Sequence, residues 1–186
     1  LSYNQIKEII IGNKIQNIEY NTDNFSLNQF TDLSSIIFGN SLLTINNSLL
    51  KDSSINSINF IIDSSSNYDN CLNTIEANAF SNCVNLNNVI LPNNVYTIGN
   101  NSFEKTTNLK NFTFSKNLQT IGTDAFLESG IESVYFSSID DIFNNAFNNC
   151  NNLLNVTFDN SCKITILNND IFANCISLNS VKLCDS

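Results

Sequence analysis

The stretch "IEANAFSNCVNLNNVILPNNVYTIG", residues 75–99, places an aliphatic residue, an Ala-Phe pair and a Leu-x-x-Val-x-Leu string at fixed intervals. The same arrangement returns along the chain with a period near 23 residues. Pairs that align on Ala-Phe are 23, 23, 21 and 25 residues apart, and they are Ala79-Phe80, Ser102-Phe103, Ala125-Phe126, Ala146-Phe147 and Ile171-Phe172. A period between 20 and 50 residues is the signature of a solenoid or another repeat architecture.

Two more columns of apolar residues accompany the pairs. Leu49-Leu50 fills the same slot as these pairs earlier in the chain. An aliphatic residue stands four positions before each of the six, at Ile45, Ile75, Ile98, Ile121, Ile142 and Leu167. An aliphatic-x-x-apolar-x-apolar string begins at Ile6, Leu33, Ile55, Leu86, Leu109, Ile131, Leu153 and Leu178. The end of each string alternates with period two and is rich in β-branched and aromatic residues, which predicts a short strand with one buried face.

The Ala-Phe block falls between successive strands, where a small residue beside a large one predicts a tight helical or 3₁₀ turn. A single repeat cannot bury its own apolar face, whereas stacked repeats share a continuous core. The sequence therefore predicts a solenoid of 7 to 8 turns of about 23 residues, with parallel strands along one side and with Phe103, Phe126 and Phe147 stacked in neighbouring turns.

The full pattern, Ile-x-x-x-Ala-Phe-x-x-Cys-x-x-Leu-x-x-Val-x-Leu-Pro-x-x-Val-x-x-Ile, resembles the BspA-like, or treponemal-type, leucine-rich repeats. The resemblance covers the whole chain, firmly from about Leu33 and loosely before it. It implies a leucine-rich repeat solenoid with a parallel β-sheet on the concave face and short helical or 3₁₀ turns on the convex face. It also implies a binding scaffold of surface or secreted proteins of bacteria and anaerobic protists, several of which look like adhesins.

The domain organisation follows from how regular the repeats are. We expect one solenoid over residues 1–186, with irregular turns over 1–32, regular repeats over 33–186 and an insertion at 61–70. The chain opens on a partial repeat and shows no amphipathic capping element after its last predicted strand. Since repeat arrays need polar caps, we expect either a fragment of a longer array or an end that a neighbour covers.

Charge and composition exclude several classes of partner. The 186 residues carry eight basic residues, all Lys, against 17 acidic ones, and the net charge of -9 would repel nucleic acid and anionic lipid headgroups. No apolar run approaches the roughly 20 residues needed to cross a bilayer. We expect no nucleic-acid partner and no direct insertion of this segment into a membrane.

The sequence contains no recognisable motif for catalysis or metal binding. There is no His and no Cys-x-x-Cys, which argues against a zinc site or a Cys-His nucleophile. Asp140-Asp141 is predicted to be a solvated turn rather than an acid-base pair. The oxygen-rich "DSSSNYDN", residues 63–70, lacks the spaced acids, the Gly and the bidentate Glu of known calcium loops. The sequence predicts no enzyme, no cofactor and no metal site.

The cysteines and the glycosylation sequons bear on where the protein works. Cys83, Cys150 and Cys175 share one column and are predicted to be buried, reduced thiols, and Cys162 is predicted to lie in the core. The redox states of Cys71, Cys162 and Cys184 stay open. Five Asn-x-Ser/Thr sequons begin at Asn24, Asn46, Asn100, Asn111 and Asn155. Asn is so abundant that these sequons support secretion only slightly, and whether they are glycosylated stays open.

The candidate binding surface is the outward residue of each predicted strand, which gives Ile10, Ile37, Asn59, Ile90, Thr113, Tyr135, Thr157 and Lys182. We select Ile90, Thr113, Tyr135 and Thr157, because they are regularly spaced in four consecutive turns on the expected concave face. Tyr135 is the expected anchor, with a hydroxyl that can reach an acceptor on a protein or glycan partner. The alternative is that such residues simply suit strands.

Two functions are consistent with the sequence. The first is a non-enzymatic, adhesion-type binding module at the cell surface or secreted. The second is an intracellular structural or scaffolding module in the cytoplasm or cytoskeleton, as part of a larger assembly, which the six thiols favour.

Overall fold

The computed structural model describes residues 5–18, 26–61 and 70–184. Within these ranges the repeats contribute eight strands of three or four residues and five strands of two residues. In chain order the strands are β1 (Glu8–Ile11), β2 (Ser35–Phe38), β3 (Thr44–Ile45), β4 (Ser57–Phe60), β5 (Thr74–Ile75), β6 (Asn88–Ile90), β7 (Thr97–Ile98), β8 (Asn111–Thr113), β9 (Thr120–Ile121), β10 (Ser133–Phe136), β11 (Asp141–Ile142), β12 (Asn155–Phe158) and β13 (Ser180–Lys182).

The strands stack in parallel and form a β-solenoid of about seven turns. The eight longer strands coincide with the eight predicted strings, so the predicted fold is confirmed. They form two sheets, β1-β2-β4-β6-β8 and β10-β12-β13, with an interruption between β8 and β10. The short strands form a third sheet in the order β11-β9-β7-β5-β3.

Parts of three sequence predictions lie outside the described residues. These are the irregular turn at residues 19–25, the sequon that begins at Asn24 and residues 62–69 of the insertion.

The third sheet is built from the column of aliphatic residues that precedes the Ala-Phe pairs. Its strands end in Ile45, Ile75, Ile98, Ile121 and Ile142, all of which are fully buried. The last member of the predicted column behaves differently, since Leu167 is 45% exposed and belongs to none of the strands given above. Its repeat departs from the others, because the interval to Ile171-Phe172 is longer than the preceding ones.

The Ala-Phe blocks are hydrogen-bonded turns, and among the described residues the 3₁₀ helix Leu27–Gln29 is the only helix. Ser81 N–H donates within its own turn to the Asn78 carbonyl (3.1 Å), whereas Phe80 N–H donates to the Ser102 carbonyl of the next turn (2.8 Å). A helix would keep its N–H groups for internal bonds. In the Ala-Phe blocks, N–H groups that bond within the turn alternate with N–H groups that bond to the next turn, and the latter join each block to the next repeat along the solenoid axis.

The Ala-Phe blocks depend on residues in the left-handed region of backbone conformation. Each block has two of them, four positions apart, with φ between 55° and 61°. Nine of the twelve are Asn or Asp, which tolerate this conformation better than other residues with a Cβ. They are Ser48, Asp52, Asn78, Asn82, Asn101, Lys105, Asp124, Glu128, Asn145, Asn149, Asp170 and Asn174. Part of the Asn-rich composition is therefore a requirement of the turns.

Phenylalanine rings form a stack through the centre of the solenoid, as the repeat predicts. The ring centroids of Phe103 and Phe126 are 5.2 Å apart and those of Phe126 and Phe147 are 5.0 Å apart, with interplanar angles of 6° and 2°. Phe80 and Phe172 extend the stack at either end. Offset stacking of this kind adds to the stabilisation that comes from burial.

All six cysteines are free. Cys83 and Cys150 are buried and Cys175 is half-buried, and their thiols donate to the carbonyls of Leu50, Phe126 and Phe147 at 3.0, 3.0 and 3.1 Å. Burial raises the pKa of the Cys83 thiol to about 11. Each thiol of the column thus bonds to the preceding turn.

Of the remaining cysteines, Cys162, which we predicted to be core, is half-buried, as is Cys184, whereas Cys71 is exposed.

Candidate binding face

The outward residues of the longer strands lie in one row, which we call the strand-face row: Ile10, Ile37, Asn59, Ile90, Thr113, Tyr135, Thr157 and Lys182. Parallel pairing places Ile90 opposite Thr113 and Tyr135 opposite Thr157. The four predicted site residues therefore form two neighbouring pairs, and the interruption between β8 and β10 separates them.

The predicted site residues are accessible. Ile90 is 59% exposed and Tyr135 is 55% exposed, Thr113 is also exposed and Thr157 is half-buried. Their strand neighbours, such as Val89, Phe112, Val134 and Val156, point into the core and are buried. The period of two residues thus decides which side chains can meet a partner.

A second outward row runs beside the first, and the sequence analysis did not single it out. It lies two residues before the strand-face row and we call it the polar row: Glu8, Ser35, Ser57, Asn88, Asn111, Ser133, Asn155 and Ser180. After Glu8 the polar row consists of Ser and Asn alone. The same alternation that predicts the first row could have predicted this one, because residues i and i+2 of a strand share a face.

Tyr135 is held by a hydrogen bond to the next turn. Its hydroxyl donates to Asp159 Oδ2 (2.9 Å), and the other oxygen of that carboxylate accepts from Ser161 N–H (3.1 Å). The bond to Asp159 raises the pKa of Tyr135. The bonds from Ser161 and Tyr135, in that order, lower the pKa of Asp159. The Tyr135 proton is therefore already committed, so the residue offers a partner its ring and an accepting oxygen instead of the expected donor.

A depression of about 380 Å³ lies on the strand face where β8 and β10 are not hydrogen-bonded. We call it the break pocket, and it is lined by Phe112, Thr113, Phe114, Lys116, Ser133, Tyr135 and Ser137. A smaller depression of about 190 Å³ adjoins it and shares Thr113, Phe114 and Lys116. Two of the predicted site residues, Thr113 and Tyr135, thus line the break pocket.

The acidic pair singled out in the sequence does not converge on a common point. Asp140 is exposed and 3.9 Å from Lys163 Nζ, whereas Asp141 lies in β11 and accepts from Asn168 Nδ2 (2.9 Å). Among the described residues, no group of three or more His, Cys, Asp or Glu side chains could hold a metal ion. Over the same part of the chain, no helix has the length and apolar character to cross a membrane.

Comparison with known sequences assigns the family. The family described as BspA type leucine rich repeat region matches this chain in six copies, over residues 1–73 and 73–186. The chain is therefore a member of the BspA-type leucine-rich repeat family. Among curated proteins, none is significantly similar to it in sequence.

Three solved structures are similar to this chain. A leucine rich cell surface protein from Faecalibacterium prausnitzii A2-165 is 14% identical, with 97% of this chain and 70% of that chain covered and a TM-score of 0.46. A leucine-rich repeat protein from Bacteroides ovatus is 18% identical, with 98% and 62% covered and a TM-score of 0.49. The pneumococcal vaccine antigen PcpA is 19% identical, with 81% and 51% covered and a TM-score of 0.45.

Proposed function

We propose that this chain is a non-enzymatic binding module that holds a protein or a glycan against its strand face. The observation that carries the proposal is the chemistry of the two outward rows. Of their sixteen side chains, only Glu8 and Lys182 carry a charge, and the rest are Ser, Asn, Thr, Ile and Tyr. Depletion of charge with an accessible aromatic residue is the composition expected at the centre of an interface.

The Ala-Phe blocks differ in charge from the strand face. The Ala-Phe blocks and the residues beside them carry Glu76, Glu104, Asp124, Glu128 and Asp170 with few lysines. Such an acidic surface repels acidic neighbours, and its charges are more favourable in contact with solvent than buried against a partner. The contrast between the two surfaces favours the strand face as the place where a partner is bound.

Tyr135 is the residue through which we expect most of the affinity. A Tyr side chain supplies a large contact area at low entropic cost, and here the bond to Asp159 already holds the ring in place. Asn88, Asn111 and Ser133 of the polar row can donate to a partner and accept from it on the same face. An ordered ring beside flexible polar groups is suited to both protein and glycan ligands.

The binding proposal is tested by applying the labelled chain to an array of extracellular-matrix proteins and an array of glycans. Tyr135→Ala should weaken binding to the best ligand by about fivefold or more, as expected of a hot spot. Asp140→Ala is the matched control, because Asp140 is exposed in a turn and its carboxylate forms a long ion pair of 3.9 Å with Lys163. Equal binding by the two variants would move the contact away from the strand face.

We further propose that the module acts at the cell surface or is secreted, as an adhesion-type protein, which the family resemblance supports. One observation favours the second candidate, an intracellular structural module in the cytoplasm or cytoskeleton. All six cysteines are free, and thiols persist more readily in a reducing compartment. An antibody against the native protein should label intact cells. Labelling only after permeabilisation would select the intracellular module instead.

A further inference from the structure

The interruption of the main sheet coincides with a shortened repeat. Phe126 and Ile131 are five residues apart, whereas the equivalent residues of the two flanking repeats, Phe103 and Leu109 and Phe147 and Leu153, are six apart. The shortened segment contains Gly130, and a Cβ at that position would clash with the Thr107 carbonyl oxygen. The chain thus approaches the preceding turn closely just before β10, and β10 then lies beside β8 without pairing with it.

The interruption leaves part of the core accessible at the bottom of the break pocket. Phe112 and Phe114 are each 7% exposed, whereas Phe103, Phe126 and Phe136 are fully buried. Both rings line the break pocket, and the Tyr135 side chain lines it as well. The volume of about 380 Å³ falls within the range of small ligand sites, so it can hold one large side chain.

Lys116 lies at the break pocket with its charge uncompensated. Within the described ranges, Lys105, Lys110 and Lys163 form ion pairs, but Lys116 forms none. The Asp159 carboxylate, two turns further along the solenoid, is engaged by Tyr135 and Ser161. In a chain of net charge -9, an exposed and unpaired ammonium group beside an apolar floor favours a ligand that carries a negative charge.

We propose that the break pocket receives an apolar side chain of a partner protein, and that a carboxylate of the same partner segment lies against Lys116. This inference rests on the proposed function and deepens it, because it selects a protein over a glycan. A neutral sugar would leave the Lys116 charge without an ionic partner, and Ser137 Oγ at the rim is already committed to the Lys116 carbonyl (3.3 Å). A Leu or Phe side chain loses no hydrogen bond there.

The test uses defined probes and the whole chain. An NMR titration compares the synthetic peptide acetyl-Thr-Thr-Phe-Asp-Thr-Thr-amide with the same peptide carrying Lys in place of Asp, and with the neutral disaccharide cellobiose. We expect the acidic peptide to shift the resonances of Thr113 and Tyr135 and to bind about threefold to fivefold more tightly than the basic one, as an exposed ion pair allows. Cellobiose should leave these resonances unchanged.

Two variants separate the charge effect from the apolar contact. Lys116→Gln should remove the preference for the acidic peptide, and Tyr135→Ala should weaken both peptides alike. Lys14→Gln, which removes the same charge from an exposed position in the N-terminal turn, should preserve the preference.

The outcomes that overturn the inference differ from those that overturn the proposed function. Equal affinity for the two peptides, or shifts confined to other residues, would overturn the docking of an acidic partner segment. Shifts at the break pocket with cellobiose alone would also overturn it, while leaving a glycan-binding strand face in place. If neither class of probe, nor any ligand on the arrays, depended on strand-face residues, the proposed function itself would fail.

Discussion

Phe126 lies at the centre of the aromatic core, and replacing it by Ala is the most direct perturbation of the solenoid. Its ring stacks on Phe103 and Phe147, and it meets Phe112 and Phe114 edge-on with centroids 4.9 and 5.6 Å away. The side chain is fully buried, so Phe126→Ala removes four ring contacts and leaves a cavity inside the array.

The expected loss of stability can be worked from this geometry. A buried Phe→Ala substitution costs about 3–5 kcal/mol of unfolding free energy. Because pairs of aromatic rings contribute about 0.5–1.5 kcal/mol each beyond their burial, we expect a value near the upper end of that range. Small domains are stable by about 5–15 kcal/mol, so the variant should lose a large fraction of its stability. In a nearest-neighbour array the adjoining turns should weaken with it.

Urea unfolding followed by far-UV circular dichroism measures this loss. Phe143→Ala is the matched control, because it makes the same chemical change at a side chain that is 41% exposed. We expect the control to lose about 1 kcal/mol or less. If the two variants lost the same free energy of unfolding, the assignment of Phe126 to a central stack would be refuted.

Three further predictions follow from single residues. Ser102→Ala should raise the unfolding free energy by about 1–2 kcal/mol, because Ser102 Oγ is buried and has no hydrogen-bond partner among the described residues, and a loss of stability in urea would contradict this. Glu128→Gly should raise it by about 0.5–1 kcal/mol, because Glu128 has a φ of 58°, and an unchanged urea midpoint would count against strain there. Asp159→Asn should lower the pKa of Tyr135 toward its ordinary value, because the bond to Asp159 is the main cause of its rise, and NMR titration of the Tyr135 ring would detect the change. Since the folded-state pKa of Tyr135 is raised, the contribution of this bond to the free energy of unfolding is present below about pH 10 and is lost as the pH rises through the folded pKa. A Tyr135 pKa that Asp159→Asn leaves unchanged would rule the bond out.

Much of this fold could be predicted from the sequence, because each turn repeats the same local interactions. Residues 23 positions apart fill equivalent places, so one column of Phe predicts a ring stack and one alternating string predicts a strand. The stack of Phe103, Phe126 and Phe147 and the eight longer strands follow from these columns. The exposure of Ile90 and Tyr135 follows from the period of two within a strand.

The conformation of the Ala-Phe blocks required the tertiary structure. Helices and compact turns place apolar residues at similar spacings, so the sequence pattern alone predicts only a tight helical or 3₁₀ turn. What decides between them is whether a backbone N–H finds its acceptor within the block or in the next turn, as Phe80 does at Ser102. That acceptor is 22 residues away in the sequence and adjacent only after the repeats have stacked.

The details of the candidate site also depend on contacts between turns. The sequence determined by itself that Tyr135 points outward, because alternation within one strand is a local property. Only the tertiary structure decided that its hydroxyl donates to Asp159, and that β8 and β10 lie side by side without pairing. Both depend on how one turn packs against the next, and the repeat that contains Gly130 is one residue shorter between Phe126 and Ile131 than its neighbours. Repetition encodes which residues meet, whereas the packing of neighbouring turns sets the distances at which they meet.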